Sequence, residues 1–160
     1  MKTVTCADIL DDAIDWGNEH YCIYAIKERT GQIIYVGKLR NPIDRLWLHV
    51  GQGRGCPSSV GQLVLDFASE SHAWEIDLFD IRDCYKILGE EYIHNESLKR
   101  RDVMIIESKV DQAETVLIRK HAPYFNGAKM DGIDQIRLPK SLDSRKSSCP
   151  FLCLQKLIDT

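Results

Sequence analysis

The sequence predicts an α+β domain built on a small antiparallel sheet. Two short runs rich in aromatic and β-branched residues, 21–26 and 32–37, flank a polar turn and predict a β-hairpin. The later alternation of Trp74, Ile76 and Leu78 with polar residues predicts a third strand. Helical periodicity before and after these strands predicts that helices flank the three-stranded sheet.

Four segments show the apolar spacing of an amphipathic helix. Asn41 and Pro42 supply a cap and a first-turn proline for one of them, and Ser58 can cap the next. Residues 82–102 are polar and mixed, and the apolar run 103–106 fits either a strand or a buried helix. The four helical segments span residues 5–16, about 42–50, 58–67 and about 111–121.

Length and composition bound the class of protein. A chain of 160 residues corresponds to one domain, and 44% hydrophobic with 28% charged residues is typical of globular proteins. There is no apolar run of membrane-spanning length and no secretory pattern at the N-terminus, so we expect a cytoplasmic location without a membrane partner. The six cysteines are then expected to be reduced. The net charge of −3 argues weakly against a nucleic-acid partner.

Three parts of the predicted fold carry chemically useful side chains. The expected hairpin register sets Tyr24 opposite Tyr35, so that two phenols share one face of the sheet. On the following helix, Arg45 and His49 stand at positions i and i+4 and share one helix face. Glu114 lies on the flank of the last helix, where it can point past the edge of the core toward the sheet.

Phosphodiester hydrolysis needs this combination of groups. A carboxylate holds a metal ion, a cation stabilises the phosphate, and a base accepts the proton of the attacking water. A tyrosine acts as this base only when a metal or a cation lowers its pKa from the reference value of about 10. The residues therefore favour a metal-dependent nuclease site.

These motifs resemble those of the GIY-YIG nucleases. The first motif of that family corresponds to Cys22-Ile23-Tyr24 and the second to Tyr35-Val36-Gly37, with ten residues between the two tyrosines. The resemblance covers roughly residues 20 to 127, and its motifs agree with the family layout in order, spacing and predicted placement. The remaining matches, in chain order, are Arg45, His49, Glu114, Pro123 and Asn126.

The resemblance implies a fold and a reaction. Members of the family have a small antiparallel three-stranded sheet flanked by helices, and they cut DNA with one divalent metal ion, here Mg²⁺ or Mn²⁺. By position, Tyr24 is the implied general base, Tyr35 its partner in the site, and Glu114 the metal ligand. The other implied catalytic residues are Lys38, which would favour the phenolate, Arg45 as the phosphate-stabilising cation, and His49 as an auxiliary proton-transfer or positioning group. Asn126 is implied as a structural or site-edge residue.

The sequence departs from the family pattern at three points. Cys22 replaces the first glycine of the first motif, and Val36 replaces the isoleucine of the second. Cys22 is predicted to lie opposite Gly37, where its side chain could alter the approach of a substrate. Residues 82–110 form an insertion that is a natural place for DNA-recognition contacts.

The predicted function is that of a DNA endonuclease of the restriction, phage or mobile-element kind. A catalytic domain with its N-terminal helix, residues 1–127, precedes an accessory tail, residues 128–160. A version that cuts both strands at a specific site would act most simply as a symmetric homodimer. Basic residues near the motifs provide one face for DNA in spite of the net charge. The candidate DNA contacts are Arg40, Arg54, Lys99, Arg100, Arg101 and Asn126.

Other interpretations of the same residues stay open. A repair nuclease selective for DNA structure fits these motifs, and so does a nucleic-acid-binding module of this fold without catalysis. Tyr24 and Tyr35 also fit an ordinary cross-strand aromatic pair. Asp111 and Glu114 fit a capping box, which would place the Glu114 carboxylate at a helix start.

Overall fold

The computed structural model describes residues 1–11, 14, 20–39, 61, 64, 68–94, 97 and 99–129. The strands are β1 (Lys2–Thr5), β2 (Tyr21–Lys27), β3 (Ile33–Lys38) and β4 (Glu75–Asp80). The described helices are α1 (Cys6–Leu10), α2 (Ala68–Ser71), α3 (Ile81–Ile87) and α4 (Arg100–His121), and a 3₁₀ helix spans Tyr124–Lys129. The strands form one antiparallel sheet in the order β1-β4-β2-β3.

The α+β class and the antiparallel sheet are confirmed, but the sheet has four strands where three were predicted. The predicted third strand is β4, which lies in the centre of the sheet beside β2. The additional strand, β1, pairs with β4 from Lys2↔Leu78 to Thr5↔Glu75. Its four residues are too few to display a period-two pattern, so the pairing with β4, and not local propensity, defines the strand.

The predicted N-terminal helix is present but shorter than residues 5–16. Thr5 is its N-cap: the Thr5 hydroxyl accepts the Asp8 N–H at 3.1 Å, and the Asp8 carboxylate accepts the Thr5 N–H at 2.7 Å. This reciprocal capping lowers the pKa of Asp8. The helix ends at Leu10, with Asp11 as its C-cap.

The hairpin is present, but its predicted register is wrong. Tyr24 pairs with Gly37 rather than with Tyr35, and Tyr35 pairs with Ile26. A loop closed by Gly31, with φ of +83°, and a bulge at Ile34 together shift the pairing by two residues. Because side chains alternate with a period of two, this even shift leaves both tyrosines on the same face of the sheet.

Two apolar clusters cover the two faces of the sheet. On one face, Tyr24, Ile26 and Leu78 pack with Ile9 of α1 and with Trp74. On the other face, strands β2, β3 and β4 contribute apolar side chains that pack against α3 and α4. The members of this second cluster are Ile23, Ala25, Ile33, Val36, Phe79, Cys84, Ala113, Leu117 and Ile118. Each completely buried Ile or Leu adds about 1.5–3 kcal/mol to the driving force for folding.

Helix α4 begins eleven residues before the predicted start at 111 and includes the apolar run 103–106. That run is helical and largely exposed: Val103 is 43% and Met104 is 64% accessible, so it is neither a strand nor a buried helix. The preceding polar stretch contains α3, which was not predicted and is capped by Asp80 and Asp83. The insertion, residues 82–110, therefore contributes to the core through α3.

The predicted helix at about 42–50 lies outside the described residues, and within the predicted helix 58–67 only Gly61 and Val64 are described, both as helical. The predicted accessory tail, residues 128–160, also lies outside them apart from its first two residues, which end the 3₁₀ helix. Among the helices that the structure describes, none combines the length and the apolar character needed to cross a membrane.

Candidate functional site

Two tyrosines lie together where β2 and β3 form the hairpin. The ring centroids of Tyr24 and Tyr35 are 5.8 Å apart, and the ring planes are tilted by 44°. Tyr24 is completely buried, whereas Tyr35 is half-buried at the boundary of the apolar cluster. The prediction that two phenols share one face is thus confirmed in spite of the wrong register, and Tyr35 is the more accessible phenol.

Gly37 allows the Tyr24 ring to lie directly against β3. A Cβ atom at Gly37 would stand 2.7 Å from the Tyr24 hydroxyl oxygen and 2.8 Å from Cε1 of Tyr35. Both distances are shorter than side-chain packing permits, so a larger residue at this position would displace one of the two rings. The glycine of the second motif is therefore a steric requirement of the tyrosine pair. Cys22, which was predicted opposite it, does not pair with it.

Asn126 fastens the chain that follows α4 to the outer edge of the hairpin. Its Oδ1 atom accepts the Val36 N–H at 2.8 Å, and its Nδ2 atom donates to the Val36 carbonyl at 2.7 Å. Ala122, in a left-handed conformation, ends α4 and turns the chain toward this edge. Val36 lies between Tyr35 and Gly37, so the asparagine holds the second motif by its backbone. Its described contacts are structural, in agreement with one of its implied roles.

Replacing Asn126 with alanine is expected to lower the free energy of unfolding by about 2–4 kcal/mol, because both polar backbone groups of Val36 lose their buried partners. Urea denaturation measures this change. Gln112→Ala is a matched control, since the Gln112 amide donates to Ser108 on an exposed helix surface, and we expect a change below about 0.5 kcal/mol. Equal small effects of the two substitutions would contradict the structural role of Asn126.

Glu114 lies on the side of α4 that faces the sheet. It is one turn before Leu117 and Ile118, and only 4% of it is accessible. The capping-box interpretation is wrong, because Asp111 and Glu114 lie in the interior of α4, far from its start at Arg100. The carboxylate therefore has no capping role in this helix.

Glu114 and Tyr24 belong to elements on opposite faces of the sheet. Helix α4 packs on the face that contains Ile23 and Val36, whereas the Tyr24 side chain belongs to the other face. Since β3 is an edge strand, a site that used both groups would have to form around this edge rather than on one face.

Lys38, the last residue of β3, connects this edge to α4. Its ammonium group forms an ion pair with the Asp111 carboxylate, which lies one helical turn before Glu114. Asp111 was predicted only as a helix cap, and its pairing with Lys38 was missed. A continuous helix from residue 100, had it been recognised, would have excluded the capping role of Asp111 and left its side chain available for a cation of β3.

Of the six predicted DNA contacts, Asn126 is buried and bonded to the Val36 backbone, and the other five divide into two groups. Lys99, Arg100 and Arg101 lie at the start of α4 and are exposed. Three cations at a helix N-terminus oppose the helix dipole, so helix stability does not explain them. The other group, Arg40 and Arg54, lies outside the described residues. Two predicted catalytic residues, Arg45 and His49, also lie outside them.

Metal-binding potential in the described part of the chain rests on at most two ligand side chains at any one place. No group of three or more His, Cys, Asp or Glu side chains comes together among the described residues. A hydrated hard cation such as Mg²⁺ keeps several water ligands and binds through one or two carboxylates, so Glu114 fits such an ion by its chemistry.

Comparisons with family models, with curated proteins and with solved structures give no match.

Proposed function

We propose that this protein is a divalent-metal-dependent DNA endonuclease that resembles the GIY-YIG family and hydrolyses phosphodiesters by in-line attack of water. One observation carries the proposal: residues from distant parts of the sequence meet at strand β3. The Tyr24 ring rests on Gly37 beside Tyr35, and Asn126 holds the intervening Val36 backbone. The close packing of the two rings requires the glycine, and the asparagine fixes the strand that carries Tyr35.

We assign the proton-accepting phenol to Tyr35 rather than to Tyr24. The attacking water must reach the base within hydrogen-bond distance, and Tyr35 is half-buried while Tyr24 is completely enclosed. Tyr24 then supports the Tyr35 ring by packing beside it, with the ring centroids 5.8 Å apart. This reverses the roles that the resemblance implies for the two residues.

Glu114 is the proposed holder of the metal ion. A bound Mg²⁺ or Mn²⁺ would stabilise negative charge on the phosphate and lower the pKa of a bound water. The described residues contribute the single carboxylate of Glu114 and the nearby Lys38–Asp111 ion pair. A DNA phosphate would compete with Asp111 for Lys38, which becomes a substrate contact once the exposed ion pair opens. Arg45 and His49 keep their proposed roles as phosphate-stabilising cation and auxiliary proton-transfer group.

The roles of the two tyrosines are distinguished by substituting each with phenylalanine. With plasmid DNA and Mg²⁺, Tyr35→Phe is expected to lower the cleavage rate by at least about 100-fold, because the base is removed while the ring remains. Tyr24→Phe keeps the supporting ring, so we expect a loss below about tenfold. The opposite order would assign the base to Tyr24, and undiminished cleavage by both variants would remove the tyrosines from the mechanism.

A second candidate is a nucleic-acid-binding module of the same fold without catalysis. The full burial of Tyr24 and the location of Glu114 on the other face of the sheet favour it. This candidate predicts that the protein binds duplex DNA with the same affinity in Mg²⁺ and in EDTA and cleaves none. The proposed nuclease instead loses cleavage in EDTA while its folded state persists.

A further inference from the structure

Two cysteines from distant parts of the chain lie next to each other at the start of the hairpin. Cys84 of α3 is completely buried, and Cys22 of β2 packs against the same apolar cluster while staying partly accessible. The Cys84 thiol forms a hydrogen bond with the Cys22 sulfur. The structure thus places one accessible sulfur against one enclosed sulfur, both in the reduced state.

The backbone explains why these sulfurs meet. Tyr21 pairs with Asp80 and Ile23 pairs with Phe79, so Cys22 is an extra residue that forms a bulge in β2. Asp80 is also the N-cap of α3, which begins directly where β4 ends and carries Cys84 one turn later. The Cys22 carbonyl accepts the Leu39 N–H at 2.9 Å, so the bulge is also attached to the end of β3.

The two sulfurs differ in acidity. The hydrogen bond from Cys84 lowers the pKa of the Cys22 thiol, and it does so against burial and the negative Asp80 carboxylate, which both raise it. The same hydrogen bond, together with burial, raises the pKa of the Cys84 thiol. The accessible sulfur is therefore the one that forms a thiolate more easily, and a thiolate is the reactive form toward oxidants.

We propose that Cys22 and Cys84 form an oxidation site, in which Cys22 reacts with a peroxide and Cys84 closes a reversible disulfide. In the first step, the Cys22 thiolate attacks one peroxide oxygen, the O–O bond breaks, and Cys22 becomes a sulfenic acid while hydroxide leaves. In the second step, the Cys84 sulfur attacks the Cys22 sulfur, the S–O bond breaks, and water leaves with the Cys84 proton. Both sulfurs are oxidised by one electron each, and hydrogen peroxide is reduced to two waters once the hydroxide takes up the proton that the Cys22 thiol lost. A thiol reductant restores the starting state.

Peptide mapping after treatment with hydrogen peroxide tests the proposal on the wild-type chain. Cleavage after glutamate releases Cys22 in the peptide of residues 20–28 and Cys84 in the peptide of residues 76–90. Neither peptide contains Cys6. We expect a disulfide that joins these two peptides and disappears after treatment with dithiothreitol. Cys6 is the internal control: burial raises its pKa to about 12, and we expect it to oxidise at least about tenfold more slowly than Cys22.

Two variants separate the steps of the reaction. In Cys84→Ala, the sulfenic acid on Cys22 has no partner, so dimedone is expected to label Cys22 after peroxide treatment. In Cys22→Ser, at a partly accessible position, Cys84 is expected to stay reduced. The proposal is overturned if peroxide leaves Cys22 unmodified in the wild type, or if Cys22 is converted to sulfinic acid without any link to Cys84. Neither result depends on nuclease activity.

Discussion

Glu114→Gln is expected to lower metal-dependent DNA cleavage by at least about 100-fold while the protein stays folded. Glutamine keeps the volume of the buried side chain but removes the charge that would hold a divalent cation, and transition-state charge stabilisation of this kind is worth several kcal/mol. No group of three or more potential ligand side chains forms among the described residues, so few of them could replace Glu114. The measurement is the initial rate of plasmid cleavage in Mg²⁺ and in Mn²⁺.

Glu107→Gln is the matched control for this substitution. Glu107 lies on the same helix α4 and is exposed, so the same charge is removed away from the sheet. We expect its cleavage rate to stay within about twofold of the wild type, because an isolated surface charge contributes little. If the two variants cleave DNA equally well, Glu114 does not hold the catalytic metal.

Gly37→Ala is expected to destabilise the protein by about 1–3 kcal/mol, the usual penalty for inserting a methyl group into a packed region. The added Cβ would lie 2.7 Å from the Tyr24 hydroxyl oxygen and 2.8 Å from a Tyr35 ring carbon. The Tyr24 ring cannot withdraw because it is completely buried, so the half-buried Tyr35 ring is the one that has to shift. Thermal or urea unfolding measures the loss, and DNA cleavage is expected to fall with it because the Tyr35 ring moves.

A double-mutant cycle tests the cause of this destabilisation. In a Tyr24→Leu background one of the two rings that the new methyl group meets is absent, so Gly37→Ala should cost less there by at least about 0.5 kcal/mol. Gly89→Ala is a control that carries backbone strain without a steric contact, since no atom lies within 4 Å of a Cβ there and only its φ of +73° opposes the change, so its cost is expected to be the same with and without the Tyr24 ring. An identical cost of Gly37→Ala in both backgrounds would contradict the steric contact.

The strands that form the hairpin are predictable because their apolar and β-branched residues show the pattern locally. The register is not, because it depends on a bulge at Ile34, and the sequence around Ile34 differs little from that of a regular strand. Because side chains alternate between the two faces of a sheet, a register error of two residues still leaves Tyr24 and Tyr35 on the predicted face. β1 was not predicted, because only its pairing with β4 makes it a strand.

The candidate site is predictable in its residues but not in its arrangement. Tyr24 and Tyr35 were identified from the predicted hairpin and Asn126 from the resemblance, and the structure brings all three together at β3. The start of α4 was misplaced because its first turns expose apolar residues such as Met104, which obscure the amphipathic pattern. That error suggested a capping role for Glu114, which the continuous helix excludes. Burial of Tyr24 also depends on residues distant in sequence, such as Trp74.

Cleavage of DNA by the wild-type protein, with and without divalent metal, tests the central claim most directly. Supercoiled plasmid, linear duplex and branched DNA are incubated with the purified chain in Mg²⁺, in Mn²⁺ and in EDTA. The proposed function predicts cleavage of at least one of these DNAs with metal, none in EDTA, and recovery when excess Mg²⁺ is added back. Binding of all three DNAs without any cleavage, or cleavage that persists in EDTA, would contradict it.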